Sequence, residues 1–254
     1  MNWSPMIVRI QSNSWFLIDQ IDHAHLAEEL ARQWKFSEWL DVVDEGLLAT
    51  IRRHDDGWED WDHRPELHTG SGRPMEFFEL PGHRKLVIWR KSIHQIRDLG
   101  PLAEYLVAAH FSSLRRQSDE LIDDETQDFL ITVDQLCEHW LSNWNVMNPQ
   151  DHTWRRAKSA LAHLQWFDRL SLGICMTPEG QTFTGTMLSG NDFSMRCAGG
   201  GCRIVSPWFF TQDELELTVV GRSVPSKKYE TTAELLAVAN CQQSLTWKLV
   251  KEDL

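Results

Sequence analysis

Apolar residues recur at intervals of three and four from about residue 22 to 173, and short β-prone runs flank that stretch on both sides. Residues 7–10 and 15–18 are two such runs split by Ser12-Asn13, a pattern that predicts a hairpin. Asp22 is a candidate cap for a helix over about 23–36, and a second helix is predicted over about 43–56, with Gly57 as its C-terminal stop. The Pro- and Gly-rich stretch 62–82 reads as a loop. Further helices are expected at about 85–97, 101–117, 126–144 and 152–172, with Pro101 suited to a first turn. Residues 177–201 are rich in Gly, Ser and Thr without periodicity and are expected to be irregular. Residues 204–210, 215–220 and 245–250 read as strands, with a short helix over 232–239. If the last strand returns to the N-terminal hairpin, both chain ends share one sheet. The expected fold class is therefore α+β, mainly α: an all-helical core with a small antiparallel sheet built from N- and C-terminal strands. It forms one domain over residues 1–254, with the helical body at 22–173.

Polar residues interrupt these apolar stripes at five places. His23 lies three before Leu26 and four before Ala27, on the stripe that Leu30 and Trp34 continue. His25 is about 200° around the same helix from His23, a solvent-facing position. His54 and Asp55 follow Ile51 by three and four, on the face of Leu47 and Leu48. His110 falls midway between Leu106 and Leu114, and Asp168 takes the next step after Trp154, Ala157, Leu161 and Leu164. Burying an unpaired carboxylate costs several kcal/mol, so buried acids are paired or coordinate metals. No basic residue shares these stripes. His23, His54, Asp55, His110 and Asp168 are therefore candidate metal ligands, for one or two divalent ions of the Fe, Mn, Mg or Zn kind. His139 is a weaker candidate, about 100° off the stripe of its own helix.

Composition narrows the partners. Lys+Arg 25 against Asp+Glu 37 gives a formal charge of −12, which disfavours a nucleic-acid polymer or an anionic membrane surface. No apolar run reaches membrane-spanning length, and the N-terminus lacks a basic region followed by an apolar one, so a soluble, cytoplasmic protein is expected. Five cysteines form no CxxC pair, consistent with free thiols; Cys197 and Cys202 bracket a glycine turn rather than a zinc knuckle. The expected partner is a small-molecule substrate, with a homodimer left open.

The series His23, His54-Asp55, Asp168 resembles the HD-domain superfamily of metal-dependent phosphohydrolases, in which an adjacent His-Asp pair ends a helix. That resemblance implies an HD-like helical bundle, with Asp55 able to bridge two metals and His110 placed as a ligand to the second. The segments DHAHLA (residues 22–27), RHDDGWEDWD (53–62), AAH (108–110), FDRLSL (167–172) and PWFF (207–210) look like an uncharacterised bacterial family, domain of unknown function 3891. FSSLRR after His110 stands where a glycine-containing turn is expected in that family.

A divalent ion lowers the pKa of its bound water and offers Lewis acidity to a phosphoryl oxygen. The functional expectation is a metal-dependent phosphohydrolase acting on a small phosphoester or nucleotide. Asp55 and Asp56 are the catalytic candidates, and Arg53, Arg115, Trp58 and Trp61 the substrate-binding ones. The alternatives are a dinuclear iron oxygenase of the HD-domain type, which the resemblance keeps open, and a non-catalytic metal-binding protein.

Overall fold

The computed structural model describes residues 6–35 and 44–252. Positions 36 and 43, where two predicted helices end and begin, lie outside the described residues. Strands β1 (Ile7–Ile10) and β2 (Ser14–Ile18) form the predicted hairpin, with Ile7 opposite Ile18 and Ile10 opposite Trp15. Helices α1 (Gln20–Arg32), α2 (Glu45–Arg53), the short α3 (Glu59–Asp62), α4 (Gly82–Gln95), α5 (Pro101–Gln117), α6 (Asp124–Met147) and α7 (Trp154–Met176) follow. Side-chain caps start several of them. Asp44 accepts from the Leu47 amide at 2.8 Å, Asp123 from Thr126 at 2.8 Å and Thr153 from Arg156 at 3.2 Å. Asp19, not Asp22, precedes α1; Asp22 sits within its first turn, where a carboxylate faces the positive end of the helix.

The end of α2 also differs from the sequence expectation. The helix stops at Arg53, and a 3₁₀ turn over Asp56–Trp58 replaces the predicted continuation. Gly57 is not a left-handed helix stop. A Cβ there would lie 2.3 Å from the Ile88 carbonyl oxygen and 2.6 Å from the Ser92 nitrogen, so the residue is needed for close approach to α4. Its amide donates to Ser92 Oγ at 3.0 Å, which clamps the corner carrying His54 and Asp55.

After α7 come β3 (Thr182–Thr186), β4 (Asp192–Gly199), β5 (Cys202–Ser206), β6 (Glu214–Pro225), α8 (Thr232–Val238) and β7 (Gln242–Lys251). All seven strands join one sheet in the order β1-β2-β6-β7-β5-β4-β3, mixed because β5 and β7 run parallel. The small antiparallel sheet expected beside a helical bundle is thus overturned. The last strand does not return to the hairpin. β6, twelve residues long, lies between them, pairing Leu17 with Arg222 on one side and Leu217 with Trp247 on the other. Residues 177–201 are not irregular either, since they supply β3 and β4. Phe193, Met195 and Cys197 alternate inward along β4 with polar Ser194 and Arg196 between them, a short period-2 run within a stretch otherwise dominated by Gly, Ser and Thr.

An all-helical core is overturned by the same finding. The main buried cluster runs from Leu26, Ile51 and Leu106 on helices to Met195, Val205, Leu217 and Trp247 on strands. α7 is the hinge of this arrangement, touching α1, α2 and α5 and also β1. Its Trp166 meets Phe193 and Phe209 edge-on, at centroid distances of 4.8 and 6.1 Å. One side of α7 therefore faces helices and carries Asp168, while another is covered by the sheet.

Candidate metal centre

Three elements bring four polar residues to one point. His23 comes from α1, His54 and Asp55 from the corner after α2, and Asp168 from α7. One ligand atom from each lies within 4.8 Å of all the others, and all four residues are buried. His23 Nε2 is 2.9 Å from Asp55 Oδ2 and 3.8 Å from Asp168 Oδ1. His54 Nε2 is 3.4 Å from both of those carboxylate oxygens. A cation with bonds of about 2.1 Å spaces neighbouring ligands about 3.0 Å apart in an octahedron and about 3.4 Å apart in a tetrahedron. The four side chains therefore fit a divalent ion, and the cluster could hold one.

The outer nitrogens fix how these rings present themselves. His54 Nδ1 is 2.7 Å from the Ile51 carbonyl, which only accepts, so Nδ1 carries the proton. That leaves Nε2 as a buried nitrogen without a hydrogen-bond partner, aimed at the two carboxylates. Ser171 Oγ donates to the Asp168 carbonyl at 2.8 Å and so accepts from His23 Nδ1 at 3.0 Å. Both imidazoles are thereby held with Nε2 inward, the orientation of a metal ligand. The stripe pattern did not single out Ser171, although its position one turn after Asp168 on α7 is the available signal.

The electrostatics fit a site that wants positive charge. Burial opposes a charge on His54, yet Asp55 and Asp168 outweigh it and lift the ring to about 9. Burial likewise opposes ionisation of Asp168, but His54, His110 and His23 hold its carboxyl well below the usual range. A proton on His54 thus does, in the metal-free chain, part of what a cation would do.

His110 on α5 lies beside this group rather than in it. Its Nε2 is 3.7 Å from Asp168 Oδ2, and its buried Nδ1 has no hydrogen-bond partner. Burial pushes this ring down to about 4, so it is neutral. His25 is half-buried rather than fully solvent-facing, and outside the cluster; His139 is exposed and bonds Asn143 at 2.9 Å.

A cavity of about 230 Å³ opens onto His23, Asp55, His110 and Asp168. Trp58 and Arg115 line it, as the sequence suggested, together with Gln20, Phe77, Phe78 and Trp89. Gln20 Nε2 is buried without a partner, and nothing in the helical pattern marks it. Arg53 and Asp56 do not line the cavity. They bind each other at 2.8 Å, and Arg53 also holds Asp98 at 2.8 Å and the Gln95 carbonyl at 2.9 Å. Helical extrapolation past Asp55 fails for Asp56 because the backbone has already turned. Trp61 packs beside the small Trp58–Leu80–Ile88 cluster instead of on the cavity wall.

Fold and site together define an α+β protein with a buried two-histidine, two-aspartate cluster that could hold a metal ion. The chain belongs to the family described as protein of unknown function (DUF3891), whose profile matches residues 6–226. No curated protein and no solved structure matches it. No helix among the described residues is long and apolar enough to cross a membrane.

Proposed function

We propose that the protein is a metal-dependent hydrolase of a small phosphoester. The observation that carries this reading is the convergence of the inward Nε2 atoms of His23 and His54 on two carboxylates that border an open cavity. The HD-like order of His23, His54-Asp55 and Asp168 supports it.

His23, His54, Asp55 and Asp168 would hold the ion, oriented by Ser171 and the Ile51 carbonyl. A bound divalent ion supplies a water of lowered pKa and Lewis acidity toward a phosphoryl oxygen. Asp55 and Asp168 would balance the ion's charge. His110, neutral and 3.7 Å from Asp168, faces the cavity as a hydrogen-bonding group or as a ligand for a second ion. Arg115 adds a positive charge at the wall. Its guanidinium donates to the carbonyls of Glu120 and Leu121 at 3.1 and 2.6 Å, while Nε has no partner.

The competing reading is a dinuclear iron oxygenase, favoured by the third imidazole and the apolar wall. Metal analysis of protein purified without chelator, followed by turnover with Mn, Mg and Fe, separates the two. Release of inorganic phosphate from a monoester supports the hydrolase. Two irons per chain with oxygen-dependent turnover and no phosphate release would replace it. A chain that binds no metal under either regime would remove both.

A further inference from the structure

The wall of the metal cavity is unlike its floor. Trp58, Phe77, Phe78, Trp89, Phe111 and Leu114 present aromatic and aliphatic surface around the His/Asp cluster. Trp89 and Phe111 stack on each other with ring planes 13° apart and centroids 5.3 Å apart, which fixes the orientation of both rings in the wall. Lys85 and Glu120 also reach the wall, but they neutralise each other at 3.0 Å, and Lys85 further donates to the Phe78 carbonyl at 3.1 Å. Arg115 donates hydrogen bonds only to carbonyls and makes no ion pair among the described residues, although the Asp123 carboxylate, which is not part of the cavity wall, feels its charge. With one divalent ion offset by Asp55 and Asp168, the cavity carries a single net positive charge. The volume of about 230 Å³ lies below the roughly 300 Å³ at which drug-sized pockets begin.

We infer that the substrate is a small aryl phosphomonoester, its ring against the aromatic wall and its one phosphoryl group toward the cluster and Arg115. This rests on the hydrolase reading of the same site. A nucleoside triphosphate brings more negative charge than the cavity can balance, and an aliphatic phosphate leaves the aromatic wall uncovered. Gln20 Nε2 and His110 Nδ1, both buried and partnerless, are donor and ring nitrogen available to the head group. Hydrolysis breaks the P–O(aryl) bond and forms a P–O bond to water. One water proton leaves with the phenol and the other remains on the phosphate, so no oxidant or reductant is required.

Calorimetry on the manganese-loaded full chain tests this with phosphonates, whose P–C bond survives the site. 1-Naphthylphosphonate is expected to bind at least about tenfold more tightly than methylphosphonate, which has the same head and no ring. Phe78→Ala removes a half-exposed ring rather than a core one and is expected to weaken the naphthyl ligand about tenfold, leaving methylphosphonate unchanged. Leu114→Asp, also at an exposed wall position, should do the same. Turnover of 1-naphthyl phosphate should exceed that of glycerol phosphate and of adenosine triphosphate in kcat/KM. Equal affinity for the two phosphonates, no binding of either, or indifference to both substitutions overturns the aryl inference. Preferred turnover of glycerol phosphate or the triphosphate overturns it while keeping the hydrolase. Ring-dependent binding without hydrolysis of any ester supports the aryl pocket and overturns the hydrolase.

Discussion

Two regions of this molecule bury charge, and they do so in opposite ways. At the helical end, Asp55 and Asp168 face His23 and His54 around a common point that opens onto a cavity. At the sheet end, Arg9 on β1 and Arg203 on β5 approach the ring of Trp247, at 5.9 and 6.0 Å from its centroid. Neither arginine is paired with a carboxylate among the described residues. Arg9 Nη1 donates to the Cys175 and Thr177 carbonyls, both at 3.0 Å, and so caps the negative end of α7. Arg203 has no exposed surface and leaves Nε and Nη2 without partners. Arg9 borders a groove together with Trp247 but spends its charge on a helix end, while Arg203 is sealed into packing with one bond, from Nη1 to the Cys202 carbonyl at 3.3 Å. The acids and imidazoles are oriented by outer hydrogen bonds toward a space that a ligand can reach. Buried charge becomes a site when its groups converge and when a route leads to them.

The sharpest break of this contrast is Asp55→Ala, which should reduce bound metal from stoichiometric to background in mass spectrometry of dialysed protein. His25→Ala should leave it intact, and equal losses from both would dissolve the cluster as the binding site. Asp168→Asn belongs with Asp55→Ala despite the distance in sequence. Ser171→Ala removes the acceptor that orients His23 and should weaken metal affinity by about 10–100-fold in competition with a chelator. An unchanged affinity would mean that the ring needs no such support.

The sheet side yields smaller effects, read by chemical denaturation. Arg9→Met should destabilise the fold by about 2 kcal/mol through loss of the α7 cap. Arg203→Met, an apolar replacement for a buried cation with no carboxylate paired to it and two unsatisfied nitrogens, should be neutral or stabilising by up to about 3 kcal/mol. A large destabilisation there would reveal a partner for the guanidinium. Neither change should alter metal content.

A further effect concerns the pH dependence of the metal-free chain. His54 is raised from 6.5 to about 9 in the folded state, so its contribution is complete below about 6.5 and is lost as pH rises through about 9. The melting temperature of chelator-treated protein should therefore decline across that interval. Saturating manganese should reverse the trend, because deprotonated imidazole is the ligand form. A decline that persists with metal bound would place His54 outside the coordination.

Much of the centre was legible along the chain. A helix of period 3.6 shows which residues face inward, and polar residues at those positions in separate helices marked His23, His54, Asp55, His110 and Asp168 without reference to the fold. The same periodicity misled at Asp56, where a 3₁₀ turn replaces the helix, and adjacency to the ligands misled at Arg53, whose side chain turns away from the cavity to Asp56 and Asp98. Gln20, Phe77 and Phe78 escaped notice because they reach the cavity from a helix start and a loop, where no period applies.

The strands show the complementary limit. Hairpin residues 7–18 were readable from local alternation, whereas β3 and β4 were hidden within a Gly-, Ser- and Thr-rich stretch. Even with every strand marked, local pattern cannot order them: β6 separates the hairpin from β7, and β5 runs parallel to β7. Which side chains turn inward is a local matter of backbone geometry, and the helical stripes located most of them, although Trp154 and Leu114 on those stripes are exposed. Which inward side chains meet, and whether a cavity remains beside them, depends on contacts between residues far apart in the chain. Those contacts exist only once α7 is packed between helices and sheet.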